Sequence, residues 1–349
     1  MAQADEREHQ DVVLNLIETY HELNACVIDE LTAQPTALQF ARYVGRNRPF
    51  VVRKCACSWR AVRQWDASYL REVMGDAAVN VATTPKGNAD GLVEVEHGNL
   101  ILVEPYEKKE SFGDFLGYIQ AEAHLSEQER SGRNVKYAQT QNDNLRAEYS
   151  ALFADVPDSI DFASAALDAE PDAVNFWLGN ERSVTALHKD NYENVYVQVR
   201  GQKHFVLLPP IEMPCVNEVP VQFARYQPTG DDESKLEPQT YEGSEPIPTP
   251  IWDPDEPDAR ASPYSKASKP MRVTLDEGDM MYLPAMWYHK VSQSSGEEAF
   301  SCSVNYWYDM DFSGSFWAQN NYLRETVEAT AKHVRYPELD FGDEEQSHP

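Results

Sequence analysis

At 349 residues, with 42% hydrophobic and 11% aromatic content, the chain is long enough to bury a sizeable core, and wholesale disorder is excluded. Thirty basic against 58 acidic residues give a formal charge of −28, which disfavours nucleic acid and suits a basic protein partner. Five scattered cysteines, a charged start and no apolar run long enough to span a bilayer predict a reducing setting, the cytoplasm with the nucleus as a second compartment, and no membrane partner. From about Asp11 to Thr32, apolar residues at three- and four-residue spacing (Val13, Ile17, Tyr20, Val27, Leu31) predict one amphipathic helix, ended by Pro35. PFVVRKCA (49–56) reads as a strand and SWRAVRQW and SYLREVMG as short helices; AAVNVATTP and LVEVEHGNLILVEP read as strands. ESFGDFLGYIQAEAH (110–124) returns to helical spacing.

VKYAQTQN (135–142) predicts a strand with Tyr137, Gln139 and Gln141 on one face. NFWLGN follows as a strand, and YENVYVQV with QKHFVLLPP as a hairpin turning at Gly201. Residues 227–270 are rich in proline and acid, which predicts a long irregular insertion. MRVTLDEGDMMYLP and AFSCSVNYWYDM are further strands, and a closing amphipathic helix carries Phe316, Leu323, Val327 and Val334. The pattern predicts an α+β protein built on an antiparallel barrel or sandwich. Three regions follow: 1–134 mixed and packed on the barrel, 135–312 the barrel, and 313–349 a helix and acidic tail. No glycine-rich phosphate loop is present.

Chemistry concentrates in two places. His188 and Asp190 lie two residues apart, and His289 follows much later in EGDMMYLPAMWYHKVSQ. Two imidazoles and a carboxylate are the ligand set of a non-heme iron facial triad with open positions. A lone His-x-Asp is more often a structural or surface pair, so the context has to decide.

That context is specific. TALHKDNYENVYVQVRGQKHF, the Gly278-Asp279 turn before Tyr282-Leu283-Pro284, and VNYWYDM after the last histidine together resemble the Jumonji-C branch of the Fe(II)/2-oxoglutarate oxygenases. Within it they resemble the lysyl hydroxylases grouped with factor-inhibiting-hypoxia-factor enzymes. The resemblance covers most of the chain and is weakest over 227–270. It implies a double-stranded β-helix, the jelly-roll cupin barrel, with flanking N-terminal helices and strands and a C-terminal helix. His188, Asp190 and His289 would hold Fe(II), leaving positions for 2-oxoglutarate and dioxygen. Lys203, with Tyr137 and Thr185, would anchor the distal carboxylate of 2-oxoglutarate; Asn194 and Asn305 would lie against the cosubstrate. Strand parity sets a condition: Thr185 and His188 are three apart, so the chain must leave the strand before His188 to bring both to one pocket.

The implied reaction is hydroxylation of a lysine C-3 methylene in a GTP-binding protein of the developmentally regulated family, with decarboxylation of 2-oxoglutarate to succinate. Histone lysine demethylation is the rival, since it needs the same iron residues. Endopeptidase action on histone tails is a further one, although no Ser-His-Asp or Cys-His arrangement supports it. A binding scaffold that has lost its chemistry would lack a ligand or the lysine, and none is missing. The aromatic start of the last helix suggests a homodimer through that helix, or packing on its own barrel.

Overall fold

The computed structural model describes residues 2–331 apart from 96, 97, 231 and 242. The chain opens with α1 (Ala2–Leu23), β1 (Asp29–Leu31), α2 (Ala37–Arg46), β2 (Phe50–Val52), α3 (Arg60–Gln64) and α4 (Ala67–Met74). Next come β3 (Ala78–Thr84), β4 (Asn88–Ala89), β5 (Gly91–Glu94), β6 (Leu100–Glu104), β7 (Tyr106–Ser111), α5 (Phe112–Glu122) and α6 (Glu127–Arg130). The middle holds β8 (Val135–Tyr137), α7 (Ser150–Phe153), α8 (Asp161–Leu167), β9 (Ala173–Gly179), β10 (Val184–His188), β11 (Tyr192–Arg200) and β12 (Gln202–Leu208). After β13 (Glu218–Thr229), β14 (Asp232–Thr240) and β15 (Ile247–Pro250) follow β16 (Met271–Leu275), β17 (Met280–Leu283), β18 (Tyr288–Ser294), β19 (Ser301–Asp309) and α9 (Phe316–Ala331).

A major sheet runs β1-β2-β17-β11-β19-β9 and a minor sheet β16-β12-β18-β10-β4. Alternation along β11 explains why two layers form on the major sheet. Val195, Val197 and Val199 point outward into a core shared with Phe40, Trp65, Phe112 and Phe176. The opposite face carries Tyr196, which joins Phe205, Leu207, Val273 and Leu275 of the minor sheet and Met281 and Leu283 of its own in a second cluster between the sheets. This is the jelly-roll cupin barrel that the resemblance implies, and the helices that precede it share its outer core.

Several elements differ from the sequence reading. The first helix ends at Leu23, not Thr32, and 29–31 instead pairs in parallel with β2. Buried Arg48 accounts for this: its guanidinium donates to the carbonyls of Ala25 and Val27, at 2.7 Å each, which draws the chain out of the helix. β8 ends at Tyr137, and Gln141 is exposed rather than sharing its face. The segments either side of Gly201 are no hairpin. β11 pairs with β17 and β19, whereas β12 pairs with β16 and β18, so the chain crosses from one sheet to the other. Gly201 makes the crossing at φ +65°, where a Cβ would stand 2.6 Å from the Ser294 carbonyl oxygen.

The 227–270 segment is also more regular than its composition suggests. β13 and β14 form an antiparallel pair, β13 lies parallel to β6, and β15 adds alongside β13. Pro238 sits in β14 and Pro248 and Pro250 in β15, strands at the margin of the sheet, where a missing N–H is tolerated. Ala224, Tyr226 and Leu236 bury against Ile101 and Val103. The stretch after Pro250 is irregular until β16 apart from a short 3-10 turn at Ser265–Ala267. In α9, Leu323 and Val327 pack on the chain's own barrel, beside Leu208, Met213 and Tyr288, while Tyr322 is exposed. Val334 lies outside the described residues.

Candidate metal centre

β10 and β18 run antiparallel, with His188 opposite His289 and Thr185 opposite Val291. The register shifts by one between these two pairs, which is a β-bulge. The chain therefore stays in the strand up to His188, contrary to the expectation that it must leave. The extra residue changes parity and brings Thr185 and His188 to the same side.

The imidazole Nδ1 of His188 lies 2.8 Å from the Ala186 carbonyl oxygen, and that of His289 lies 2.9 Å from the Trp287 carbonyl oxygen. A carbonyl accepts only, so each ring is held with Nδ1 protonated and the Nε2 lone pair free. Both lone pairs converge on Asp190: its Oδ2 is 3.8 Å from Nε2 of His188 and 3.6 Å from Nε2 of His289. The ring centroids are 4.1 Å apart. Burial, and then neighbouring His188, pushes His289 down to about 4, so it is a neutral donor at ordinary pH. Among the described residues, this is the group whose ligand atoms, all within 4.8 Å of one another, suit a metal ion. Two neutral nitrogens and one carboxylate oxygen fit a divalent first-row cation, with coordination positions left open.

Deeper in the barrel, Lys203 is 2% exposed and donates from Nζ to the Tyr137 hydroxyl at 2.8 Å. Its contacts among the described residues include no carboxylate, and burial pushes its ammonium down to about 7. Burial also raises the Tyr137 phenol, which stays protonated. Such a lysine lacks an anion, and an anionic ligand would supply it. Lys203 pairs across β18 with Gln293, Phe205 with Val291, and Leu207 with His289. The lysine row and the histidine row thus belong to one face of one sheet, about 14 Å apart at the backbone. Thr185 stands in the row between them, opposite Val291.

On the major sheet Asn305 donates through Nδ2 to Oδ1 of Asn194 at 3.1 Å and accepts from Trp177 Nε1 at 2.9 Å. The two asparagines are brought together, though their partners here are each other and Trp177 rather than Lys203. Beside them the hydroxyls of Tyr196 and Ser303 are 2.5 Å apart. Trp307 stacks on Tyr192, whereas Trp287 is fixed in the inter-sheet cluster by two bonds to Asn47.

The sequence reading passed over Gln293 and Gly179. Gln293 donates to the Asn180 carbonyl at 2.7 Å and leaves Oε1 without a partner in the buried pocket. The period of two from His289 through Val291 was the available signal for it. At Gly179 a Cβ would fall 2.6 Å from the Tyr137 ring and 2.7 Å from Gln293 Nε2, so only glycine lets the ring lie there. Asp90 was also missed. Its strand neighbour Ala89 pairs with Thr185, and burial pushes the Asp90 carboxyl up to about 6 while nearby His188 pulls it down.

A cupin-like domain matches residues 35–314. The chain is 37% identical over 283 residues to the human protein named bifunctional peptidase and (3S)-lysyl hydroxylase JMJD7, covering 81% of this chain and 84% of the relative. It belongs to the cupin-like JmjC family. To lysine-specific demethylase JMJ32 of Arabidopsis thaliana this JmjC protein is 34% identical over 309 residues, 86% of each chain. To JmjC domain-containing protein E of Dictyostelium discoideum it is 32% identical over 340 residues, 92% of this chain and 94% of the relative. JmjC proteins of this kind are 2-oxoglutarate-dependent oxygenases that use Fe(II), and the chain is an enzyme of that class.

Proposed function

We propose that the chain hydroxylates a lysine side chain of a protein substrate, at C-3, with Fe(II) held by His188, Asp190 and His289. The observation that carries this reading is the pairing of an imidazole–carboxylate cluster with a buried, carboxylate-free lysine on one barrel face. When bound, Fe(II) with 2-oxoglutarate and dioxygen supplies the oxidising power for C–H hydroxylation, with release of succinate and carbon dioxide.

The protein's task is placement. Lys203 and Tyr137 would receive the distal carboxylate of 2-oxoglutarate through charge-assisted hydrogen bonds, with Thr185 adding a hydroxyl between them and the ligand histidines. Asn194 and Asn305 would border the cosubstrate, held in place by each other. The Ala186 and Trp287 carbonyls keep both imidazoles turned the right way before any ligand arrives. A cationic substrate chain suits both the net charge of −28 and the Asp90 carboxyl beside β10.

The finer expectations stand as parts of the same proposal. These are a lysine-bearing loop of a GTP-binding protein of the developmentally regulated family as substrate, a cytoplasmic or nuclear setting, and a homodimer through α9. A dimer would use the α9 face bearing Tyr322, because Leu323 and Val327 are already covered.

The test is mass spectrometry of a lysine peptide and its N-methylated twin, each incubated with enzyme, Fe(II), ascorbate and 2-oxoglutarate. Gain of one oxygen on the unmethylated peptide, absent with Asp190→Ala, is expected. Loss of methyl from the twin alone would make the enzyme a demethylase, the activity named for the Arabidopsis relative. Chain cleavage would point instead to the peptidase named for the human one.

A further inference from the structure

Behind the metal centre, on the side away from the pocket, four polar side chains from four segments meet. Lys189, between ligands His188 and Asp190, donates from Nζ to Oε1 of Glu218 at 2.8 Å and lies 2.8 Å from the Tyr288 hydroxyl. Tyr288, the residue before His289, donates its hydroxyl to the same Glu218 oxygen at 2.6 Å. Arg324 of α9 forms an ion pair with Oε2 of Glu218 at 3.0 Å. The Glu218 side chain is 5% exposed, and the Lys189 ammonium also sits over the Tyr288 ring, 4.6 Å from its centroid.

Neighbours in an extended chain point to opposite faces, so the ligands look inward while Lys189 and Tyr288 look back. One carboxylate at the start of β13 therefore grips both ligand-bearing segments. The need for a grip is local. His188 ends β10, and Asp190 lies beyond it, tied through its backbone carbonyl to the Met286 N–H at 2.7 Å. A metal tolerates little drift among its donors, and even groups bonded directly to the ligands typically change affinity only 10- to 100-fold, so a grip one step further out belongs at the lower end.

We infer that Glu218 is a positioning residue for the metal centre, which it also couples to the C-terminal helix through Arg324. The inference rests on the reading that His188, Asp190 and His289 bind a divalent metal. Glu218 never touches the metal; it fixes the spacing between the His188–Asp190 segment and the His289 strand. α9 thereby becomes a support of the metal site as well as a cover for the barrel.

The test titrates the full-length metal-free protein with Co(II), reading the visible absorption of the bound ion, alongside thermal melts without metal. Glu218→Gln keeps the shape and removes the charge, and Tyr288→Phe removes one bond. His21→Gln is the control, because it breaks another buried contact, His21 Nε2 to Glu212 Oε1 at 2.9 Å, outside this cluster. We expect Co(II) affinity to fall about tenfold in Glu218→Gln, less in Tyr288→Phe, with an altered absorption band in both. His21→Gln should lose melting temperature and keep its affinity within about twofold of wild type. Wild-type affinity in Glu218→Gln, or an equal loss in His21→Gln, would overturn the inference and leave the metal reading standing. Failure of the wild-type protein to bind Co(II) would overturn the metal reading itself, and the inference with it. Should Glu218→Gln not fold, Tyr288→Phe against His21→Gln decides on the same terms.

Discussion

The two faces of β11 and β19 share one backbone and have opposite characters. Outward they present Val195, Val197, Val199, Val304 and Tyr306, sealed under the helices. Inward they present Asn194, Tyr196, Ser303 and Asn305, bonded to one another in a buried row. Apolar burial on the outer face is the main source of stability. The inner face holds hydrogen-bonded polar groups and, across the barrel, a lysine buried without a carboxylate, whose charge costs stability and which the proposed chemistry would use. Fold and function are thus separated by the alternation of a strand, not by distance along the chain.

Substitutions on each face should therefore act in different currencies, and the sharpest break comes at the metal. Asp190→Ala is expected to lower turnover of the lysine peptide by roughly a thousandfold or more, while the urea midpoint hardly moves, since the side chain is partly exposed. Phe176→Ala, on the outer face, should cost about 3–5 kcal/mol in urea unfolding and leave the KM for 2-oxoglutarate of the folded fraction unchanged. A shift in that KM would show that the faces are coupled after all.

Lys203→Met should move the two measures in opposite directions. The KM for 2-oxoglutarate should rise on the order of 100-fold, as a buried charged contact is lost, and the metal-free protein should gain on the order of 1–3 kcal/mol near pH 7. The pH dependence follows from its pKa, about 7 in the fold against an ordinary 10.5. Between those values the unfolded chain holds more protons, so the stability of the metal-free wild type should rise with pH. Below about 7 both states are protonated and the whole cost of the buried charge is present. Urea titrations from pH 6 to 10 should show this slope in the wild type and less of it in Lys203→Met. The smallest effect is expected at the surface. Thr36 caps α2 in a capping box with Gln39, and Thr36→Ala should cost about 1 kcal/mol with no change in turnover.

What could be read from the sequence follows the same division. His188, Asp190 and His289 offer a distinctive ligand set, but it was the resemblance of the surrounding motifs, not the residues alone, that singled them and Lys203 out. Gln293 was within reach through the period of two in β18. The bulge before His188 was not, because one unpaired residue leaves no compositional trace; only the parity conflict that it resolves was visible. Gly201 marked a turn correctly, yet which strands bond on either side depends on partners about 64 to 117 residues further along. The proline-rich 227–270 stretch misled because proline argues against central strands only, and β14 and β15 are marginal ones. The first helix was drawn too long because the residue that stops it, Arg48, lies far beyond its end.

The bulge between Thr185 and His188 is also a place where the chain carries one residue more than the pairing on either side needs. Deleting either Ala186 or Leu187 removes no proposed ligand and no charge. It would leave one residue instead of two opposite Lys290, so the bulge would close into a regular ladder with Thr185 still opposite Val291 and His188 still opposite His289. At this point a one-codon deletion should therefore keep the two histidines facing each other, and divergent copies of the gene should vary there by length as well as by substitution.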